Sequence, residues 1–337
     1  MKHEHRNTPI KLIQMFNKFF ILFAIVAVGG LSPQTIANSD AVFVTLRPPL
    51  NPPVGQVTQQ FNVGANLHGL MFADQNALWG PTLFYSIRND TGGNSTFTTI
   101  STLTLAATAQ LPVGHHAFDA VTFAAPDVGY GPTIFYTLSH DTAGNSTFGT
   151  INPTGVPYTA LFGVGQNFNA LTFSATDVGY GANLFYALSQ DPAGVSTLEG
   201  INPTPGGIVA PLLTLGNNFT ALAFTATDVG YGADLFYYLR TDGSGNSVFG
   251  TIDATPSFQG TRVVDRVHLG APFQELTFTP TDVGYGPNLF YSLASDPTGE
   301  PVLAVPEPAG LMPLGILAVV GVAWYRKATG RAARLQS

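Results

Sequence analysis

The sequence has no cysteine and few charged residues, and each shortage excludes a class of protein. Without cysteine, the chain can form no disulfide framework, cysteine nucleophile or cysteine-ligated metal site. Charged residues make up 10% of the 337 residues, against about 25% in ordinary soluble domains. The net charge of -7 argues against nucleic acid as a partner. Aromatic residues make up 12%, so the composition is not that of a disordered chain.

Lysine is absent from the long central segment between Asn38 and Val305. That segment holds five arginines and 18 acidic residues, so its formal charge is -13 while the whole chain carries -7. The remaining basic residues lie at the two ends of the chain. The distribution indicates an acidic central domain between two basic terminal segments.

The N-terminus has the order of a secretory signal peptide. Four basic residues precede the apolar run 19–28, and small residues at alternate positions follow it, up to Ala37 and Ser39. We predict a signal peptide over residues 1–37, followed by a proline-rich linker over residues 38–56. The alternative is an uncleaved anchor, but the run is only half of the roughly 20 residues that a membrane span needs.

The C-terminus carries a second apolar run, residues 309–325, with Pro313 as its only breaker. Seventeen residues at about 1.5 Å each give roughly 26 Å, which predicts one transmembrane helix. Basic residues follow it in the segment 326–334, which places the bulk of the chain outside the cytoplasm. The alternative is a plain tail anchor.

The motif Pro306-Glu307-Pro308 stands immediately before that helix. The order of motif, helix and basic tail, which begins at Arg326 and Lys327, resembles the PEP-CTERM sorting signal over residues 306–334. The resemblance implies recognition by an exosortase after passage through the secretion machinery. It also implies membrane attachment before processing, and then a place on the surface or in the matrix of a Gram-negative-type bacterium. The tail departs from the family pattern because Ala-Thr-Gly separates Lys327 from Arg331.

The middle of the chain repeats one unit. Asp-Val-Gly-Tyr-Gly occurs four times and a diverged copy ends at Gly80, so that successive last glycines lie 51, 50, 51 and 54 residues apart. Each unit divides into four short strands separated by glycine and proline turns, as in the segments 170–173, 183–188, 196–201 and 208–215. Four strands in about 50 residues are typical of a propeller blade.

The repeat is out of phase at its two ends. A fourth-strand segment, residues 57–63, precedes the first unit, while the last unit stops after its third strand. We therefore predict an all-β, five-bladed propeller over residues 57–305, closed by the N-terminal strand. The alternative is an open β-solenoid or β-sandwich array. The outline Gly165…Phe168…Leu171…Phe173, followed by Leu-Phe-Tyr, loosely resembles the repeat of tachylectin-type five-bladed propellers.

Candidate ligand residues follow from this fold, because propellers usually bind ligands where loops meet the central channel. One position at the start of each first strand is polar in all units. These residues are His68, Asp119, Asn169, Thr220 and Gln274. We predict a channel that binds a small polar ligand, and the alternative is a merely hydrated channel.

The repeated aspartates Asp127, Asp177, Asp228 and Asp282 invite two interpretations. Calcium prefers six to eight oxygens, and each turn offers a single carboxylate. We therefore predict a structural role, in which each aspartate binds backbone amides of its turn. The aromatic residue of the motif is predicted to pack between blades, and the alternative is an exposed row that stacks on sugar rings.

Hydrolytic chemistry has little support in the sequence. Glycosidases need two carboxylates at a controlled separation, and the two acids of the channel zone, Asp119 and Glu275, belong to units that are not consecutive. The pair His115-His116 lacks a third metal ligand nearby. We predict no catalytic residue, no metal and no cofactor.

The functional prediction is an exported, non-enzymatic surface or matrix protein that is structural, adhesive or glycan-binding. Its expected partner is an extracellular polysaccharide. The alternative is a secreted carbohydrate-active enzyme, a glycoside hydrolase or lyase, that uses the channel face.

Overall fold

The computed structural model describes residues 59–63, 66–75, 77, 79–90, 92–104, 106–204, 207–257, 260, 262–269, 272–295 and 301–305. The predicted signal peptide, linker, sorting motif, C-terminal helix and basic tail lie outside these residues. Within them, no helix is long and apolar enough to cross a membrane.

The regular structure of the described residues is entirely β. In chain order the strands are β1 (Gln59–Asn62), β2 (Leu67–Ala73), β3 (Leu83–Asn89), β4 (Ser95–Ser101), β5 (Ala106–Gly114), β6 (Ala117–Ala124), β7 (Ile134–His140), β8 (Asn145–Ile151), β9 (Thr159–Gln166), β10 (Phe168–Ser174), β11 (Leu184–Gln190), β12 (Val195–Asn202), β13 (Ile208–Asn217), β14 (Phe219–Thr225), β15 (Leu235–Thr241), β16 (Ser247–Ile252), β17 (Val263–His268), β18 (Glu275–Thr279), β19 (Leu289–Ser295) and β20 (Pro301–Val305).

These strands form five four-stranded antiparallel sheets among the described residues. Sheets 1 to 4 each take four consecutive strands, β2–β5, β6–β9, β10–β13 and β14–β17, from the inner strand to the outer one. Sheet 5 has the order β18-β19-β20-β1. The predicted all-β, propeller-like fold is confirmed.

The first strand of the chain completes the last sheet. β1 pairs antiparallel with β20, with Gln59 opposite Val305 and Asn62 opposite Val302. The N-terminal strand therefore lies where the out-of-phase repeat predicted it. The pairing covers the edge that β20 would otherwise expose.

The second strand of each sheet carries the core. The repeated Leu-Phe-Tyr segment is buried on both faces of its sheet, and β7 is buried at its first six positions. Because successive side chains of a strand point to opposite faces, this pattern requires a neighbouring sheet on each side. A continuous apolar run therefore identifies the strand that lies deepest between neighbouring sheets.

Aromatic rings connect each sheet to the next. The tyrosine of one Leu-Phe-Tyr segment contacts the phenylalanine of the following sheet, as Tyr136 contacts Phe185 with ring centroids 4.5 Å apart. The same contact joins sheet 5 to sheet 1, where Tyr291 lies 4.7 Å from Phe84. The tyrosine–phenylalanine contact that joins neighbouring sheets therefore also joins the last sheet to the first and closes the ring.

Candidate active site at the channel mouth

The five polar residues predicted for the channel occupy one equivalent position. In β6, β10 and β14 this position is a bulge, which shifts the register between Phe118 and Ala120 and between the matching residues of the other strands. A bulge turns the extra side chain away from the paired strand. Asp119 is accordingly partly exposed between two buried neighbours, and Asn169 and Thr220 repeat this arrangement.

Two of the five residues bind backbone instead of one another. The side-chain amide of Asn169 donates to the carbonyl of Phe219 over 3.1 Å, which joins sheet 3 to sheet 4. The Thr220 hydroxyl donates to the carbonyl of Leu239 over 3.3 Å. Gln274 lies just before β18 and is exposed. The polar contacts therefore concentrate around the remaining two residues, His68 and Asp119.

Asp119 is paired with a histidine that the sequence analysis did not single out. The Nδ1 atom of His140, at the end of β7, lies 2.8 Å from both carboxylate oxygens of Asp119. Burial raises the pKa of Asp119, and the hydrogen bond and charge of His140 oppose that rise. Polar residues occupy the last position of this strand in other sheets as well, for example Gln190, so the sequence alone gave no signal for His140.

Glu275 brings a second carboxylate to the same place. Its Oε1 atom accepts a 2.9 Å hydrogen bond from the backbone N–H of Gly69, in the bulge of β2. Burial raises the pKa of Glu275 to about 8 against the opposing amides of Gly69 and Leu70, and the negative charge of Asp119 raises it further. The two acids lie on β18 and β6, with β2 between them.

His68 completes what we call the channel cluster, namely His68, Asp119, His140 and Glu275. Burial lowers the pKa of His68, and the charge of His140 lowers it further. Two interacting carboxylates whose pKa values are both raised by burial form an arrangement suited to acid–base chemistry. Among the described residues, no group of three or more histidines and acids is arranged to hold a metal ion.

A cleft opens beside the channel cluster, between sheets 2 and 3. Its volume is about 630 Å³ and it is lined by polar groups. We call it the acidic cleft, and it is defined by Asp119, His140, Asp141, Asn167, Asn169 and Asp191. A cleft of this volume is within the range of ligand-binding pockets.

The repeated aspartates lie in a different set of loops, those between the first and second strands. Asp127 accepts hydrogen bonds from the amides of Gly129 (2.7 Å) and Gly131 (2.9 Å), and these bonds lower its pKa. Both glycines have positive φ, 108° and 104°. Asp177, Asp228 and Asp282 make the same pair of bonds. Each of these carboxylates therefore binds the backbone of its own turn, as a structural turn residue does.

The aromatic residue of that motif is partly buried against the core at every repeat. Tyr130, Tyr180, Tyr231, Tyr285 and Trp79 each pack against one of the buried clusters. This placement agrees with the predicted packing role and leaves no exposed row of rings for stacking on sugars.

Comparison with known proteins gives structural likeness only. No protein-family model matches the chain, and no match was found among curated proteins. A GH43_1 enzyme from Xanthomonas citri complexed with xylose is 12% identical, with a TM-score of 0.46 over 75% of this chain and 95% of that one. A putative exo-beta-1,3-galactanase from Bifidobacterium bifidum is 11% identical, with a TM-score of 0.39 over 79% and 92%. A glucose dehydrogenase is 14% identical, with a TM-score of 0.40 over 77% and 87%.

The prediction of a non-enzymatic protein is corrected at this point. Glycoside hydrolases are among the solved structures that this chain resembles. The sequence analysis also set Asp119 and Glu275 apart because their units are not consecutive. Their sheets are indeed not neighbours, because β2 lies between β18 and β6 in the ring, but the negative charge of Asp119 still contributes to the raised pKa of Glu275.

Proposed function

We propose that this chain is a carbohydrate-active enzyme, a glycoside hydrolase built on a propeller of five sheets. Glu275 is its general acid and Asp119 its ionised carboxylate. The observation that carries the proposal is the pair of interacting carboxylates at the channel mouth, of which one has a pKa of about 8. Hydrolysis of a glycosidic bond uses such a pair, with one acid protonated and the other ionised.

Glu275 suits the role of acid because it holds its proton at neutral pH. The leaving oxygen of a sugar needs a proton as the glycosidic bond breaks, and a carboxyl group whose pKa lies near or above neutrality supplies it. The amides of Gly69 and Leu70 fix the direction of the carboxyl group.

Asp119 suits the complementary role because His140 donates to its carboxylate. This bond opposes the effect of burial on the pKa of Asp119 and favours its ionised form. The ionised Asp119 then stabilises positive charge on the sugar ring, either directly or by activating water.

The test is to incubate the purified full-length protein with a panel of neutral, cationic and acidic polysaccharides. Hydrolysis is measured as the release of reducing ends. We expect Glu275→Gln and Asp119→Asn each to lower the rate by roughly 10² to 10⁴, the usual contribution of such groups. Glu199→Gln is the matched control, because Glu199 binds Ser189 within sheet 3, and it should retain the rate.

Two results would contradict the proposal. The first is the absence of hydrolysis on the entire panel. The second is hydrolysis that survives in both carboxylate variants.

We further propose that the enzyme is exported and sorted by its C-terminal segment. The support is the order of signal peptide, Pro306-Glu307-Pro308 motif, apolar run and basic tail in the sequence. Intact-mass measurement of the surface-exposed protein should show the loss of residues 309–325, and Glu307→Ala should accumulate unprocessed. A mass that retains the whole tail would refute the sorting proposal.

A further inference from the structure

Three aspartates line the acidic cleft. Asp119, Asp141 and Asp191 contribute its carboxylates, and His140 is already paired with Asp119. None of the described residues that line the cleft is lysine or arginine. Clefts lined by one sign of charge concentrate ligands of the opposite sign.

The charge on Asp141 is held by its own turn. Its Oδ1 atom accepts hydrogen bonds from the amides of Ala143 (2.8 Å) and Asn145 (2.9 Å). The side chain of Asn145 donates to Oδ2 over 2.9 Å. These bonds lower the pKa of Asp141, so the group is ionised throughout the neutral range.

Asp191 occupies the same turn in sheet 3. Its Oδ1 atom accepts hydrogen bonds from the amides of Ala193 and Val195, both at 2.9 Å. Matching aspartates occur in sheet 1 at Asp90 and in sheet 4 at Asp242. The fold therefore provides the same turn both inside and outside the cleft.

The surroundings of these turns differ between the sheets. Asp242 lies 3.7 Å from the Nδ1 atom of His268. Hydrogen bonds from Asn94 and Gly92, and then the charge of His115, lower the pKa of Asp90. A glycine lies at or next to the end of the outer strand in two of these sheets, Gly114 in sheet 1 and Gly165 in sheet 2. The residue that follows it is His115 in sheet 1 but Gln166 in sheet 2. The amide of Gln166 brings no positive charge to the turn of Asp141.

Asn169, one of the residues that line the cleft, carries an acceptor without a partner among the described residues. Asn169 donates through Nδ2 to the carbonyl of Phe219, which fixes the orientation of its amide group. Its Oδ1 atom is buried, and no donor among the described residues reaches it. An enclosed acceptor of this kind is satisfied by a donor from water or from a ligand.

We propose that the acidic cleft is a subsite for an amino sugar with a free ammonium group, a hexosamine unit of a cationic polysaccharide. The ammonium group offers three donors and a positive charge to the carboxylates of Asp141 and Asp191, which form no ion pair among the described residues. Uronic acids are repelled by the same carboxylates, and neutral sugars gain no charge attraction. This inference rests on the proposed function, since it names the substrate class of that site.

The experiment measures binding without turnover. Full-length Glu275→Gln protein is titrated calorimetrically with four probes of equal length at low salt and pH 6. They are the β-1,4 tetramer of glucosamine, its N-acetylated form, cellotetraose and tetragalacturonate. We expect the glucosamine tetramer to bind at least about tenfold more tightly than the others, and its affinity to fall as salt screens the charges.

Matched double variants locate the site. In the same background, Asp141→Asn with Asp191→Asn removes the charge but keeps an oxygen that accepts the turn amides. It should weaken binding of the glucosamine tetramer about tenfold or more. Asp90→Asn with Asp242→Asn changes the same turn outside the cleft and should alter the affinity less than about twofold.

The outcomes separate this inference from the proposed function. Equal binding of the cationic and neutral tetramers, preference for tetragalacturonate, or equal effects of the two double variants would overturn the subsite. Charge-selective binding by a protein that hydrolyses nothing would overturn the hydrolase and keep the subsite. Hydrolysis of neutral glycans alone would overturn the subsite and keep the hydrolase.

Discussion

The carboxylate of Glu275 accepts a hydrogen bond from the backbone N–H of Gly69, 206 residues away in the sequence and 2.9 Å away in the structure. The bond crosses the junction between sheet 5 and sheet 1. The hydrogen bond that joins sheet 5 to sheet 1 therefore also orients Glu275, a titratable residue of the channel cluster. The closure of the ring and the geometry of the site depend on the same contact.

Replacing Gly69 should test the close packing at this junction. Gly69 has a φ of +63°, and an added Cβ would lie 2.8 Å from Val121 Cγ1 and from the backbone nitrogen of Val121. We expect Gly69→Ala to lower the free energy of unfolding by about 2–4 kcal/mol through overpacking and backbone strain, measured by urea denaturation. Gly194→Ala also has positive φ but meets nothing within 4 Å, so it should cost about 1 kcal/mol. Equal losses would contradict the packing argument.

The pKa of Glu275 should make stability depend on pH. The folded state raises this pKa from 4.5 to about 8, so the folded protein holds a proton that the unfolded chain releases within that window. The contribution to stability is therefore complete below about pH 4.5 and is lost as the pH rises toward 8. We expect Glu275→Gln, which cannot titrate, to show a smaller fall in unfolding free energy between pH 5 and pH 8 than the wild type. Identical falls would show that Glu275 does not titrate in this range.

Strand β1 should be needed for stability and replaceable by a peptide. A chain that starts at Val63 lacks β1 but keeps the buried Val63 and the hydrogen bond from Arg88 to its carbonyl. Loss of the pairing with β20 removes backbone hydrogen bonds worth about 1 kcal/mol each, and we expect a fall in melting temperature of roughly 10 °C.

Added peptide of residues 57–62 should restore the melting temperature of that shortened chain in a concentration-dependent way. A scrambled peptide of the same composition is the control. An unchanged melting temperature in the shortened chain would mean that β1 does not stabilise sheet 5.

Much of the fold could be predicted from the sequence because its causes are local. The glycines of Asp-Val-Gly-Tyr-Gly permit positive φ at Gly129 and Gly131, and the apolar Leu-Phe-Tyr run requires burial on both faces. The segment before the first unit likewise indicated that the N-terminal strand would complete the last sheet. These features recur in each repeat, so each copy supports the interpretation of the others.

The site could be predicted only in part. The position of Asp119 followed from the repeat, but its partner His140 lies on the adjacent strand at a place where many polar residues are tolerated. Only the antiparallel pairing of β6 with β7 brings the two side chains together.

The sequence by itself determined the repeated unit, the strands within it and the turn chemistry, because short-range patterning fixes each of them. The tertiary structure alone decided that Glu275 meets Gly69 and interacts with Asp119. Ring closure places sheet 1 between sheets 5 and 2, and there burial, together with the negative charge of Asp119, raises the pKa of Glu275. Distance along the chain gives no measure of that proximity, and proximity is what makes the two carboxylates a candidate catalytic pair.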